Sequence, residues 1–290
     1  MTITRRTLIQ AAIAALAPLA FTASYAQDGN WPTSPVKIIV PFSAGGASDI
    51  LTRQLAEKLQ GKLGQNWVVD NRTGAGGNIG MEAVKNALPD GQTIASATIG
   101  TLTINQFLFS KISYDPVNDF SYVSKIWGNC NAFVVPANHP SKTVEEFVGW
   151  AKMKPKGVSF GSAGVGTTPH LAGELFRVRT GIDAIHIPFR GAAQSMPALM
   201  AGDTDFAIDN IASYTPLIKS GKVKALAVTC PTRWPTLPAV PTMAEAVVKD
   251  KYLQTGALLI ATTPRETEAF AASERVKWKE IVRLSGAKMD

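Results

Sequence analysis

The feature that most narrows the fold is a unit repeated along the chain: a short β-rich run, a glycine-rich turn, then apolar residues at helical spacing. Val36 to Val40, with Lys37 its only polar residue, reads as a buried strand. After Pro41 to Ala47, a helix carries Ile50, Leu51, Leu55, Leu59 and Leu63, with Ser48 as its expected N-cap. Trp67 to Val69 is a second strand, followed by Gly74-Ala75-Gly76-Gly77-Asn78 and a short helix that stops at Pro89-Asp90-Gly91; Thr93 to Ile99 is a third strand. From Tyr122 to Val135 the chain reads as extended, and a second series begins. Its strands are Val158 to Phe160, Ala184 to Pro188, Phe206 to Ile208 and Lys224 to Thr229. One helix runs from Pro169 to Arg179, with Thr168 as expected N-cap and Pro169 in the first turn, where its missing N–H costs nothing. Another opens at Arg190-Gly191 and ends at Gly202. Strand, turn and helix in this alternation predict an α/β fold. Two lobes are expected, residues 27–124 with 231–290 and residues 125–230, joined by two crossing strands.

The first residues bear on the compartment. Arg5 and Arg6 precede an uncharged apolar run from Leu8 to Phe21, and small residues lead to Ser24-Tyr25-Ala26. This is the pattern of an export signal cut after Ala26, and the paired arginines fit either the twin-arginine or the general secretory route. The run is shorter than the roughly 20 apolar residues that span a bilayer. Removing residues 1–26 takes away only Arg5 and Arg6 among charged residues, so the formal charge of +7 becomes +5. The remaining Lys and Arg are scattered, with Lys152/Lys154/Lys156 and Lys219/Lys222/Lys224 the closest groupings and no aromatic platform between them, which argues against a nucleic-acid partner. Cys130 and Cys230 lie too far apart for a short-range zinc or redox motif. Whether they pair depends on a Cα separation that sequence does not reveal.

The chemistry sits in the loops. Phe42-Ser43-Ala44-Gly45-Gly46, Gly74 to Asn78 and Gly161 to Thr168 each follow a strand and precede a helix. That arrangement leaves backbone N–H groups unpaired at a helix N-terminus, where the helix dipole adds positive potential, and such a site prefers an anion. Ser43, Ser48, Ser162, Thr167 and Thr168 add hydroxyls without adding charge. No Lys-Ser or Lys-Thr follows a glycine run, and no dinucleotide fingerprint is in place, so nucleotide cofactors are not implied. No ligand cluster has metal spacing. Phe160-Gly161-Ser162-Ala163-Gly164 and Pro41 to Gly45 resemble nucleophile elbows but lack the motif's first glycine. A secreted serine esterase using Ser43 or Ser162 is therefore the alternative reading. His139, His170 and His186 do not have the late position such an enzyme's order requires.

Val36 to Asp49, Asp70 to Gly80, Tyr114-Asp115-Pro116-Val117-Asn118-Asp119-Phe120, Phe160 to Gly164, His170 to Phe176 and Val240-Pro241-Thr242 together resemble the Bug-type substrate-binding proteins of tripartite tricarboxylate transporters. The likeness covers essentially the whole chain after residue 26. It implies a two-lobed periplasmic-binding-protein fold of the type II-like kind, with two mixed sheets flanked by helices and two crossing strands as hinge. It implies further a non-enzymatic monomer without cofactor that closes on a small carboxylate and serves integral-membrane transporter subunits. By the same resemblance Phe42, Ser43, Ala44, Gly45, Gly46 and Ser48 face one end of the ligand, and Ser162, Ala163, Gly164, Thr167 and Thr168 grip the other. Asn78 is a further ligand-binding position, Thr98, Thr101, Asp209 and Asn210 lie where ligand choice is tuned, and Asp49 and His170 take either ligand contacts or helix-terminus roles. Near its C-terminus the chain departs from these relatives: Thr262-Thr263-Pro264 leads straight into Glu266 to Leu284, which resembles their final helix, without the intervening helical unit.

Overall fold

The computed structural model describes residues 31–246 and 263–287, so the export signal lies outside the described residues. Among the described residues are two sheets. The first holds β1 (Val36–Val40), β2 (Trp67–Asn71) and β3 (Thr93–Ala95) in the order β2-β1-β3, all parallel. The second holds β4 (Asn131–Pro136), β5 (Val158–Ser162), β6 (Ala184–Pro188), β7 (Phe206–Asn210) and β8 (Val223–Val228) in the order β6-β5-β7-β4-β8. Its β5, β6 and β7 are parallel, while β4 runs antiparallel to both β7 and β8.

β4 is buried on both faces throughout. One face packs a cluster of phenylalanines: Phe133 stacks on Phe206 at 5.2 Å between centroids and meets Phe147 and Phe176 edge-on at 5.1 and 4.9 Å. The other face packs Ala132 and Val134 against Leu199, Ile211 and Tyr214. A fully buried central strand reads as a continuous apolar run, as Ala132 to Val135 does.

The helices are α1 (Ala47–Leu63), α2 (Asn78–Lys85), α3 (Asn105–Leu108), α4 (Val144–Lys152), α5 (Thr168–Thr180), α6 (Ala192–Ala201), α7 (Ile211–Lys219), α8 (Met243–Ala246) and α9 (Pro264–Ser285). Four expectations need correction. The N-cap of α1 is Gly46, not Ser48, and Thr52 and Ala56, rather than the leucines, form its most buried face, because Thr52 Oγ1 donates to Ser96 Oγ at 2.8 Å and alanine permits close approach. The N-cap of α5 is Thr167, whose hydroxyl accepts from His170 N, and Thr168 is the first helical residue. The third strand stops at Ala95: after Thr98 the chain coils into a wide helical turn, Gly100–Ile104, where Thr101 Oγ1 donates to Thr98 O at 3.1 Å and Thr103 Oγ1 to Ile99 O at 2.7 Å. Of the stretch from Tyr122, only Asn131 onward pairs into a sheet. In the last two cases local side-chain bonds or missing partners override β propensity.

Cys130 and Cys230, left open by the sequence, form a disulfide with Cα atoms 5.4 Å apart. They sit just before β4 and just after β8, neighbouring strands in which Ala132 faces Val228. The final helix α9, opened by a capping box between Thr263 and Glu266, lays Trp278 and Val282 against Ile104 and Leu108 on one side and Leu171 of α5 on the other.

Candidate functional site

The loop after β1 is braced from inside. The Asp49 carboxylate is buried and accepts from Gly45 N at 2.9 Å, from Asn71 Nδ2 at 3.0 Å and from Arg53 Nε at 3.0 Å. Burial pushes its pKa up, but the Arg53 guanidinium, the Gly45 amide and Asn71 outweigh that and hold it below the usual carboxylate range. Asn71 Nδ2 also donates to Phe42 O at 2.9 Å. Asp49 is thus committed to shaping the loop, and Asn71, which sequence reasoning passed over inside a motif it had singled out, shares that work.

This loop meets the second sheet's helices. Ala47 N donates to Ser213 Oγ of α7 at 3.0 Å. Ser43 lies hard against Gly191, the N-cap of α6, whose positive φ of 151° and missing side chain permit the approach: a Cβ there would collide with the Ser43 hydroxyl. A Cβ on Gly45 would sit 3.8 Å from Ala193. The first amide of α7 is taken by Cys130 O at 2.9 Å and that of α1 by Ser213, which leaves the N-terminus of α6, without a side-chain cap bond, as the positive helix end against Ser43. Beside them Asp209 is wholly buried; its Oδ1 accepts from Asn210 N at 2.6 Å and Asn210 Nδ2 at 3.2 Å, and burial raises its pKa to about 6. Asn210 Oδ1 accepts from Asn129 Nδ2 at 2.8 Å. Among the described residues, Ser43 Oγ, Asp209 Oδ2 and Tyr214 OH are buried without a hydrogen-bond partner.

The second loop, after β5, meets the first sheet's turns. Ser162 Oγ accepts from Gly164 N at 3.1 Å and lies 2.7 Å from His186 Nε2; Thr167 Oγ1 donates to Gly164 O at 2.6 Å; His170 Nδ1 accepts from Gly166 N at 3.3 Å. Gly166 packs against Asn105 and Leu108, and the Val165 carbonyl against Gly76. Asn105 Nδ2 donates to Gly76 O at 3.1 Å and Asn78 Oδ1 at 2.6 Å. The Tyr114 hydroxyl lies 3.0 Å from Asn78 Oδ1 and 2.6 Å from Thr101 O. Asn78 Oδ1 and the Thr98 and Thr101 hydroxyls are therefore engaged within this scaffold. Burial lowers the pKa of His170 to about 4; burial and then repulsion from His170 lower that of His186 to about 3.

The two loops are contiguous: Phe42 touches Gly77, and Phe189, two residues before Gly191, donates its amide to Ser162 O at 3.1 Å. Among the described residues the amides of Ser43, Ala44, Ala163 and Val165 reach no protein acceptor, as the loop geometry predicts for an anion site. Two cavities of about 610 and 380 Å³ lie elsewhere, the first between α1 and β2 around Arg53, Ala56 and Trp67, the second around Ala137, Ile218 and Lys224. Neither gathers free amides or orphaned hydroxyls, so the loops are the better candidate. Asn105, Ser213 and His186 carry no sequence signal, since a lone polar residue on a helix or strand shows its role only through a tertiary contact.

Residues 51–272 match the family described as the tripartite tricarboxylate transporter family receptor. A protein from the tcbD-tcbE intergenic region of Pseudomonas sp. strain P51 is 38% identical over 216 residues, 74% of this chain; the match spans 64% of that relative, less than two thirds of its length. Two solved structures each cover 90% of this chain and are themselves covered in full. One is R. palustris Rpa4515 with adipate, 29% identical with a TM-score of 0.86; the other is the periplasmic binding protein BugD, 28% identical with a TM-score of 0.82. These likenesses set the esterase alternative aside, and the Ser162–His186 contact is no nucleophile and base. The chain belongs to the tripartite tricarboxylate transporter receptor family, whose Bug-type members are periplasmic solute-binding proteins and not enzymes.

Proposed function

We propose that this chain is exported to the periplasm, captures a small organic carboxylate between the Phe42–Asp49 and Ser162–His170 loops, and passes it as a monomer to membrane transporter subunits. The observation that carries the reading is the meeting of these two loops with unpaired amides and with the N-terminus of α6 beside Ser43. Lobes of residues 27–124 with 231–290 and of 125–230 would close on the ligand about the two crossing segments. A ligand anionic at both ends fits two facing loops, so dicarboxylates lead, aromatic ones such as terephthalate included; the adipate in the R. palustris neighbour is of this class. Recognition by fixed dipoles without a buried counter-charge makes affinity only modestly salt-dependent.

A thermal-shift screen of residues 27–290 against mono-, di- and tricarboxylates, aromatic acids and amino acids tests the reading. A ligand that binds only the folded state at about 100 times its Kd stabilises by about 2.7 kcal/mol, a shift of several degrees. A cooperative melt that no carboxylate moves would count against it. Gly191→Ala supplies a second prediction. The new methyl group forces Ser43 off the N-terminus of α6, and overpacking of about 1–3 kcal/mol weakens binding roughly 5- to 150-fold. Calorimetry with the carboxylate found by the screen reads this, and unchanged affinity would show that the loops do not approach so closely in the bound state.

A further inference from the structure

We propose that His186, acting through Ser162, is a positioning residue that fixes which amides of the Gly161–Thr168 loop face outward. The loop's amides divide by turns. Those of Gly164 and Gly166 are consumed internally, by Ser162 Oγ at 3.1 Å and His170 Nδ1 at 3.3 Å, while those of Ala163 and Val165 reach no protein acceptor. An amide only donates, so Ser162 Oγ is the acceptor for Gly164. The Ser162 hydroxyl hydrogen then has two possible destinations. Gly164 O is 3.2 Å away and already takes the Thr167 hydroxyl at 2.6 Å, whereas His186 Nε2 is 2.7 Å away. The shorter, uncontested partner takes the hydrogen, which requires a neutral His186 protonated on Nδ1.

The imidazole is held for this purpose. It stacks on Phe160 at 4.9 Å and 26° and on His170 at 4.2 Å and 29°, so one column of rings carries both imidazoles that brace the loop. Burial keeps both rings neutral through the physiological range. His186 stands opposite Phe160 in the β5–β6 register, two residues behind Ser162, and so reaches the loop from the strand beneath it without lying among the outward-facing amides.

The role in ligand binding rests on the function proposed above, but the positioning itself is read without ligand. Long-range 1H–15N spectra of residues 27–290 report the His186 tautomer, and hydrogen exchange reports the Gly164 amide. His186→Phe keeps the ring column and removes the acceptor; Ser162→Ala removes the link; His186→Gln restores an acceptor. The expected results are the Nδ1–H tautomer and Gly164 exchange about tenfold faster in His186→Phe and in Ser162→Ala. The double variant should be no faster than either, Gln should recover most of the protection, and the amides of β4 should be unmoved. An Nε2–H tautomer, unchanged Gly164 exchange, or additive effects in the double variant would overturn the proposal. Adipate calorimetry on the same proteins is the binding arm: His186→Phe and Ser162→Ala should weaken it equally and without adding, and undiminished adipate affinity alongside faster exchange would remove the role in binding. If the wild type binds no carboxylate, the functional reading fails, and the tautomer and exchange still decide the positioning.

Discussion

Acidification from neutral pH to about 4 is expected to lower the unfolding free energy of this protein by about 3 kcal/mol through three buried groups, and the buried His139, also lowered by burial, adds in the same direction. His170 and His186 have folded pKa values of about 4 and about 3, depressed by burial and, for His186, by its neighbour. For a depressed pKa the associated stability is present above the unfolded value of 6.5 and is lost as pH falls toward the folded value, because the unfolded chain takes up protons that the native state refuses. Asp209 works the other way. Burial raises its pKa to about 6, so its contribution is fully present below the unfolded value of 3.8 and lost as pH rises through about 6. Between about 6 and 4 two protons are gained on unfolding at the histidines and one is lost at Asp209, a net slope of about 1.4 kcal/mol per pH unit.

Variants separate the two signs. Asp209→Asn removes the opposing proton and should roughly double the slope while stabilising the protein above pH 6, where a buried carboxylate without a partner on Oδ2 is a burden. His186→Phe removes one of the two histidine protons and should nearly flatten the curve. Denaturant unfolding at several pH values measures all three proteins. A wild-type stability that stays level from pH 6.5 to 4, together with an unaltered slope in Asp209→Asn, would show that these groups are not buried as the structure has them.

Removal of the Cys130–Cys230 disulfide is the second large effect. The bridge joins residues 100 apart in sequence and encloses β4 through β8, the whole five-stranded sheet with the helices between its strands. Closing a loop of that length restricts the unfolded chain by about 4.7 kcal/mol at 25 °C in the chain-entropy account. Cys130→Ser with Cys230→Ser, or reduction with a phosphine, should therefore cost about 4 kcal/mol. The folded structure should persist, because β4 remains paired on both sides and the phenylalanine cluster is untouched. Both sulfurs are buried, so reduction in the native state should be slow and follow unfolding. Denaturant titration of oxidised and double-serine proteins reads the difference, and a loss below about 1 kcal/mol would mean that the bridge does not form in solution or that the unfolded chain is already compact.

Most of the scaffold was legible in the sequence because it rests on local chemistry. The strand Val36 to Val40, the helix ending at Gly202 and the strand Ala184 to Pro188 were bounded to within a residue by apolar runs, glycine stops and prolines. The loops were legible because a glycine-rich turn between strand and helix presents amides outside any ladder, whereas which of them stay unpaired depended on Asp49, Ser162 and His170. Less legible was what each polar residue in those loops would do. Asp49 and His170 look the same in sequence whether they touch a ligand or brace a turn, and their bonds to Gly45, Arg53 and Asn71 for the one and Gly166 for the other come from the tertiary structure alone.

The sequence by itself determined an α/β chain with glycine-rich turns between its strands and helices, since hydrophobic period and turn chemistry act over a few residues. Only the tertiary structure decided that Cys130 and Cys230 pair, that Ser43 abuts Gly191, and that Ser162 answers to His186, across separations of 100, 148 and 24 residues. Contacts of that range are set by how sheets and helices pack, and a lone serine, glycine or histidine leaves no periodic trace of the partner it will meet.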